Sequence, residues 1–473
     1  MYSLKINQVE VEKSLDNARR LIEQEQGLSP SLRAALEVLL LLVTVLLNRT
    51  TLNSKNSSKP PSSDPDRLKT IRKKSDKSSG AQAGHLGKTL EKTSCPDRIE
   101  VLSIDRRTLP VGNYHQAGFE TRQVFDIDIS RVVTEYQAQI LEDEQGNRFV
   151  AAFPKEVTKA VQYGNQIKAH AVYLSQYQLL PYKRIQNYFA DQLQIPLSEG
   201  SIYNFNVQAF AQLAAFEQIS KDQLAQARIA HADETGININ GKRLWLHCAS
   251  NKTWTHYFPH EKRGMDAMDE IGILPRFKGI LCHDHWKPYY RYSFTHALCN
   301  AHHLRELTRA WEQDGQSWAK NMEQLLRTIS QAVDDAGNAL HPDDARDYRK
   351  SYKALLKKAE IECPPPDTPS GKPKRGRVKR SKARNLLERL INYEDDVLRF
   401  MENPLVPFTN NLGENDIRMT KVQQKISGCF RSTEGAKIFC RVRGYLSTCR
   451  KQGLTASQAL KLVFEGKLPD FVA

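Results

Sequence analysis

Residues 227–235, ARIAHADET, begin the stretch that decides the fold, and KRLWLHCAS (242–250) and WTHYFPHE (254–261) follow them. Each segment has the length and composition of a β-strand, and the intervening GININGK and NKT are typical of turns. This stretch therefore predicts three strands in succession.

The next segments predict a return to alternating helices and strands. GMDAMDEIGIL (264–274) is typical of a helix, FKGILCHDH (277–285) of a fourth strand, and FTHALCNAHH (294–303) of a fifth strand that leads into a helix. Three strands, a helix, a strand, a connection and another strand is the element order of an RNase H-like fold. We therefore predict an α/β core of this class, with a mixed five-stranded sheet flanked by helices.

The N-terminal region shows helical periodicity. Residues 1–26 predict a charged helix that Gly27 ends, and Ser29-Pro30 begins a second helix with an N-cap followed by proline. An apolar seam in the second helix suits a partner helix or a short coiled coil, with a core helix of the same domain as the alternative. The seam consists of Leu32, Leu36, Leu39, Val43 and Leu46.

Two basic segments indicate a polyanionic partner. From Lys55 to Lys92 there are ten Lys or Arg against four Asp or Glu, in a Ser- and Pro-rich sequence too polar to fold alone. From Lys372 to Arg384, eight of thirteen residues are Lys or Arg and none is acidic. Both segments fit contact with a DNA backbone, and solvated linkers are the alternative. The phosphate-contact candidates in the second segment are Lys372, Lys374, Arg375 and Arg377.

Composition agrees with a nucleic-acid partner. The net charge is +15 and the isoelectric point is about 9.3. The first thirty residues are polar and charged, unlike a secretory signal, and the apolar run from Ala34 to Leu47 is shorter than the roughly 20 residues of a membrane span. The scattered cysteines indicate reduced thiols. We therefore predict a cytoplasmic, nucleoid-associated protein with no membrane partner.

These signals divide the chain into seven predicted units. They are a helical or coiled-coil region (1–52), a basic disordered linker (53–92), a small β-rich module with a hairpin turn at EDEQGNRF (93–156), a helical region that is a helix-turn-helix candidate for DNA binding (157–224), the first part of the core (225–314), an all-helical insertion with the basic loop (315–404), and the last core helix with a helical tail (405–473).

Three carboxylates are candidate metal ligands. Asp233 and Asp284 fall at the ends of the first and fourth predicted strands, which are neighbours in an RNase H-like sheet. Carboxylates that converge there repel each other unless a cation neutralises them, and two Mg²⁺ ions about 4 Å apart are the usual solution. Glu414 follows Asn410 and Asn411 at the start of a helical stretch and is the best third ligand.

Other interpretations of this site remain open. An aspartate at a strand end is more often a turn former or a helix cap than a ligand. The competing carboxylates are Glu234, Asp266, Asp269 and Asp416. A zinc site at Cys299, His302 and His303 is a minor alternative, because no second paired cluster lies at finger spacing.

The chain resembles the transposases of the insertion sequence 66 family, a group of bacterial DDE transposases, over most of its length. NSKNSSKPPSSD (53–64) is similar to the family's N-terminal signature, and YLSQYQLLPYKRIQNYFAD with LSEGSIYN is similar to its helical region before the core. HADETG, CHDHWKPY and HALCNAHHLREL look like its core motifs, and FTNNLGENDIRM and SGCFRSTEGA like its closing motifs. All of these motifs occur in family order.

The resemblance implies DNA cleavage at transposon ends, which frees a 3′-hydroxyl, followed by strand transfer into target DNA. The family's catalytic residues fall on Asp233, Asp284 and Glu414, which would hold Mg²⁺, with Mn²⁺ as a substitute. Asn410 and Asn411 are expected to position the final helix or to contact DNA. The phosphate-binding candidates beside the site are Arg418, Lys421, Lys425, Arg431, Arg441 and Arg443.

The implied partners are double-stranded DNA at the transposon ends and the target, at least one further copy of the chain, and accessory proteins of the same element. The motif from Cys299 to His302 is expected to be structural or supportive. One departure from the family is that residues 93–155 contain only Cys95, where members usually carry a zinc-finger-like segment. A nuclease without strand transfer and a catalytically inactive DNA-binding protein are the alternative functions.

Overall fold

The computed structural model of the chain describes residues 8–25, 27–51, 90–366 and 380–472. Most of the predicted basic linker (53–92) lies outside the described residues. The same holds for four of the phosphate-contact candidates, namely Lys372, Lys374, Arg375 and Arg377.

Two helices form the N-terminal region, as predicted. Helix α1 spans Gln8–Gln24 and helix α2 spans Pro30–Thr51. The side chain of Ser29 accepts a hydrogen bond from the backbone N–H of Leu32 at 3.3 Å, which caps the second helix at the expected place. The apolar seam of α2 faces solvent in the single chain, where Leu39 is 57% exposed. A partner helix on this seam stays a prediction.

The module predicted at 93–156 contains less β-structure than its sequence indicates. Strands β1 (Ile140–Glu142) and β2 (Arg148–Val150) form the predicted antiparallel hairpin. Every other residue of the module lies outside strands, and its apolar side chains, such as Val111 and Val124, are exposed. The alternating pattern predicts strands only where another layer covers the apolar face, and this module has no such layer in the described residues.

A four-helix region precedes the large sheet. Its helices are α3 (Asn165–Val172), α4 (Tyr182–Leu193), α5 (Glu199–Gln212) and α6 (Ala214–Ala225). Their apolar side chains, including Ile185, Phe189 and Ile202, are fully buried in a core shared with the C-terminal helices. Packing therefore accounts for the helical periodicity, and DNA recognition by α4 and α5 stays a prediction.

A mixed five-stranded sheet follows, as predicted. Its strands are β3 (Ile229–Ile239), β4 (Lys242–Ser250), β5 (Thr255–His260), β6 (Ile280–His283) and β7 (Thr295–Leu298), with helix α7 (Met265–Ile271) between β5 and β6. The strand order is β5-β4-β3-β6-β7. The first three strands are antiparallel, while β3, β6 and β7 run parallel.

Strand β3 is longer than predicted, which places Asp233 inside the strand and not at its end. The hairpin to β4 turns at Asn240 and Gly241, whose φ angles of 48° and 80° suit a tight two-residue turn. The predicted turn GININGK was wrong because Ile237 and Ile239 alternate into the core and extend the strand. Parallel pairing of β3 with β6 nevertheless ends at His231, so Asp233 lies just beyond it.

Eight further helices complete the described fold. They are α8 (Asn300–Glu312), α9 (Ser317–Asp335), α10 (Pro342–Glu362), α11 (Lys382–Asn392), α12 (Glu394–Glu402), α13 (Asn411–Ser427), α14 (Thr433–Lys451) and α15 (Ala456–Phe464). Helices α8 to α12 share one apolar core with β7, built around side chains such as Met322 and Tyr352. Helix α13 packs on β3 and β4 through Ile417. Within the described ranges, no helix combines the length and apolarity that crossing a membrane requires.

Candidate active site

A buried asparagine joins three parts of the fold beside the sheet. The side-chain N–H of Asn410 donates to the carbonyl of Ala232 at 2.9 Å, and its Oδ1 lies 2.7 Å from Nδ1 of His231. Its backbone N–H donates to Sγ of Cys299 at 3.1 Å. Asn410 therefore fixes the start of α13 against β3 and against the end of β7. It is 2% exposed, which favours the predicted positioning role over the predicted DNA contact.

The three predicted carboxylates come together at this junction. Asp284 directly follows β6, and Glu414 lies in the first turn of α13. Burial and the charges of Glu234 and Asp284 raise the pKa of Asp233 to about 8, and Glu414 acts in the same direction. Because Coulombic effects of this kind weaken with distance, Asp284 and Glu414 lie near Asp233, and so does Glu234. Asp233 therefore carries a proton near neutral pH unless a cation replaces it.

The donor set fits a hard divalent cation. Carboxylate oxygens are the preferred ligands of Mg²⁺ and Mn²⁺. Oε1 of Glu414 is buried without a hydrogen-bond partner among the described residues, and Oε2 lies 4.0 Å from the guanidinium of Arg305. Oδ1 of Asp284 accepts the backbone N–H of Trp286 at 3.0 Å, which holds that carboxylate in place. A cation would relieve both the repulsion and the unpaired oxygen.

The competing carboxylates are engaged elsewhere. Asp266 pairs with Lys262 at 2.5 Å and Asp416 with Lys451 at 2.7 Å. Asp269 accepts a hydrogen bond from the hydroxyl of Tyr292 at 2.7 Å. Asp266, Asp269 and Asp416 are therefore committed to other partners.

The side chain of Glu234 is fully used in hydrogen bonds that the sequence did not indicate. One of its oxygens accepts a hydrogen bond from Nε of Arg263 at 2.9 Å, and the other accepts the hydroxyl of Tyr289 at 2.7 Å. Its side chain is 1% exposed. A buried carboxylate with both oxygens occupied is an anchor for its partners and not a free ligand. The spacing from Glu234 to Arg263 carries no local pattern, so sequence reasoning missed this pair.

A second cluster of metal-ligating atoms shares Glu414. The ligand atoms of Cys299, His302 and Glu414 all lie within 4.8 Å of one another. His303, which the zinc alternative included, instead lies 3.0 Å from the side-chain oxygen of Asn300 and is buried. Burial raises the pKa of the Cys299 thiol, which disfavours the thiolate that zinc needs. Glu414 therefore belongs to two candidate ligand sets, one with Asp233 and Asp284 and one with Cys299 and His302.

The predicted phosphate-binding residues fall into two groups. Asn411, Arg418, Lys425 and Arg431 are exposed on or next to α13. Lys421 is exposed too, and its ammonium donates to the carbonyl of Gly236 at 2.7 Å, close enough to Asp233 to interact with it.

Two of the predicted phosphate-binding arginines are structural, which corrects the prediction. Arg441 binds Glu217 and the carbonyl of Phe210. Arg443 is 7% exposed and donates to the carbonyl of Tyr177 at 3.1 Å. The two arginines lie on different faces of α14, and each joins that helix to another part of the helical region. Their positive charge in the sequence suggested phosphate binding, but in the fold the two side chains connect helices.

Comparison with known proteins gives two family matches. The profile described as Transposase IS66 family matches residues 160–438, which is more than half of the chain. The profile of a family of unknown function (DUF6444) matches residues 7–91. The first match covers the sheet, the carboxylates and Asn410.

A curated relative matches over a short segment. It is an uncharacterized protein, y4jO, of Sinorhizobium fredii, which is 37% identical over 70 residues. That segment is 15% of this chain, and the match spans 22% of the length of the relative.

Proposed function

From the premise that the chain belongs to the IS66 family of transposases, we propose that it cuts DNA at the ends of a mobile element and joins the freed 3′ end to target DNA. Membership confirms the resemblance seen in the sequence and implies transposition. The observation that carries the finer proposal is the convergence of Asp233, Asp284 and Glu414 at the β3–β6 junction, with a raised pKa at Asp233.

The proposed catalytic core is RNase H-like, with the helices from α9 to α12 as an insertion before the last core helix. Asp233, Asp284 and Glu414 would hold Mg²⁺, or Mn²⁺ in its place. When bound, such ions activate the attacking oxygen and stabilise the leaving oxygen of a phosphodiester. Asn410 keeps Glu414 in register with β3, and Trp286 orients Asp284 through its backbone N–H.

Exposed cations beside the carboxylates would hold the DNA backbone. Arg418, Lys421 and Lys425 lie on α13 with Glu414, and Arg431 follows that helix. Each phosphate they neutralise releases counterions, which makes binding dependent on salt. Double-stranded DNA, further copies of the chain and accessory proteins of the element are the proposed partners.

The test is strand transfer in vitro with purified protein, labelled element-end DNA and a supercoiled target, in Mg²⁺, in Mn²⁺ and in EDTA. We expect metal-dependent cleaved and joined products that Asp284→Asn abolishes, with DNA binding retained. Asp266→Asn is the matched control, because this exposed aspartate pairs with Lys262 away from the site, and it should retain wild-type rates.

Each other outcome points to a different function. Cleavage without joining would favour a nuclease. Salt-sensitive binding with neither reaction, even with the other proteins of the element added, would favour a DNA-binding remnant. Full cleavage by Asp284→Asn would remove that residue from the site.

A further inference from the structure

Two arginines and two tryptophans alternate in a stack beside Asp284. The guanidinium of Arg243 lies 4.9 Å from the ring centroid of Trp245. The guanidinium of Arg263 lies between two indoles, 4.8 Å from the ring centroid of Trp245 and 4.4 Å from that of Trp286. We call these four side chains the Arg–Trp stack. Both tryptophans and Arg263 are half-buried, and Arg243 is exposed.

Buried groups hold the stack in place. The side chain of Glu234 anchors Arg263 from below, and Tyr289 occupies the other oxygen of that carboxylate. Arg243 lies across Gly236, where a β-carbon would come within 2.9 Å of its Nε. A buried carboxylate and a glycine therefore hold these two arginines in place, beyond what an exposed cation–π contact alone would provide.

The stack lies alongside the proposed catalytic carboxylates. Trp286 follows Asp284 by two residues and donates its backbone N–H to that carboxylate. Trp245 pairs across the sheet with Gly236, whose carbonyl accepts the hydrogen bond from Lys421. A DNA strand held by Lys421 would therefore lie next to the stack.

The chemistry of the stack fits a nucleotide whose base is not paired. Indole and guanidinium planes stack with nucleobases, and guanidinium groups bind phosphates. In a duplex the faces of the bases are already covered by their neighbours, whereas an unpaired base offers its face. We propose that the Arg–Trp stack binds an unpaired nucleotide of the DNA strand in the active site. This inference rests on the proposed function in taking DNA as the partner.

The test measures binding without cleavage, so that it succeeds or fails independently of catalysis. Full-length protein in EDTA is titrated into a short single-stranded oligonucleotide carrying 2-aminopurine, and separately into the matching duplex. The variants are Trp245→Ala and Trp286→Ala. Trp311→Ala is the matched control, since Trp311 is 39% exposed and has Lys320 4.8 Å from its ring centroid, but lies on α8.

We expect the dissociation constant for the single strand to rise about tenfold or more in each stack variant, because Trp286 ends the stack as a platform for a base and Trp245 holds both guanidinium groups in place. Duplex binding should change less than threefold, and Trp311→Ala should match the wild type in both assays. Trp245→Phe and Trp286→Phe keep a ring and should retain most of the affinity, which separates stacking from misfolding.

Two results would overturn the proposal. The first is single-strand binding within twofold of the wild type in both alanine variants. The second is an equal loss for single strand and duplex. A wild-type protein that prefers the single strand through the stack but does not join DNA ends would leave this inference standing and would refute the proposed reaction.

Discussion

Replacing Asn410 by alanine tests whether one buried amide holds the candidate active site together. The change removes the hydrogen bonds from Asn410 to His231 and to the carbonyl of Ala232. Asn410 is only 2% exposed, so water cannot replace these bonds. Burial lowers the pKa of His231, so the ring is neutral. Because the atom of Asn410 next to the His231 ring is its amide oxygen, that oxygen accepts the hydrogen bond and Nδ1 of His231 carries the proton.

The magnitude follows from those two contacts. A buried hydrogen bond contributes about 1 kcal/mol net, and a buried group left unpaired costs about 1–3 kcal/mol. We therefore expect Asn410→Ala to lower the free energy of unfolding by about 2–4 kcal/mol. Since the start of α13 loses its tie to β3, the Mg²⁺ concentration that gives half-maximal DNA cleavage should also rise.

The assay is urea unfolding followed by circular dichroism, with Mg²⁺ titrations of cleavage on the same samples. Asn411→Ala is the matched control, because Asn411 is the exposed first residue of the same helix and should change stability by less than about 0.5 kcal/mol. The double variant with His231→Ala should show a coupling energy of about 1 kcal/mol. Equal stability and equal metal dependence in Asn410→Ala and Asn411→Ala would refute the reasoning.

Three further predictions follow from other contacts. Burial lowers the pKa of His256 to about 3, well below its value near 6.5 in the unfolded chain. As the pH falls from 7 to 5 the unfolded chain is therefore protonated first, and the free energy of unfolding decreases. In urea unfolding over this pH range, His256→Leu should lose about 2 kcal/mol less of that free energy than the wild type. In a plot of the logarithm of DNA affinity against the logarithm of salt concentration, Arg431→Ala should reduce the slope by about 1, because this exposed arginine is proposed to bind a phosphate. Arg443→Ala should leave that slope unchanged and lower the free energy of unfolding, because Arg443 binds the carbonyl of Tyr177. The opposite pattern would exchange the roles of the two arginines. Cys299→Ser should keep the rate of Mg²⁺-dependent cleavage within about threefold of the wild type, because sulfur is a poor ligand for Mg²⁺. Zinc that binds to the wild type but not to this variant would instead favour a zinc site at Cys299, His302 and Glu414.

The sequence predicted those features whose signals are local. The bounds of β4 and the break between α1 and α2 match their predictions, because an alternating pattern and a Ser-Pro cap act over a few residues. The order of strands and helices in the sheet was predicted correctly as well. Asp284 was placed correctly because the apolar run before it ends at Cys282 and the strand ends one residue later, at His283.

Long-range contacts were the features that the sequence could not supply. His231 and Asn410 are 179 residues apart, and neither has a local pattern that indicates the other. The same limit applies to Glu234 with Arg263 and to Arg443 with Tyr177, where burial turns a charged residue into an anchor. The length of β3 was missed because GININGK contains a turn dipeptide, and the pattern does not show that only Asn240 and Gly241 make the turn.

The hydrogen bonds between Asn410 and β3 can form only late in synthesis, because Asn410 lies near the end of the sequence. The ribosome delivers Asp233 and Asp284 long before Asn410 and Glu414, and the helices from α8 to α12 have their own apolar core in between. The strands of the sheet are therefore synthesised before the third carboxylate and before Ile417, which packs on β3 and β4. A nascent or truncated chain that ends before residue 410 would lack Glu414, so we expect the proposed DNA cleavage only once the chain is nearly finished.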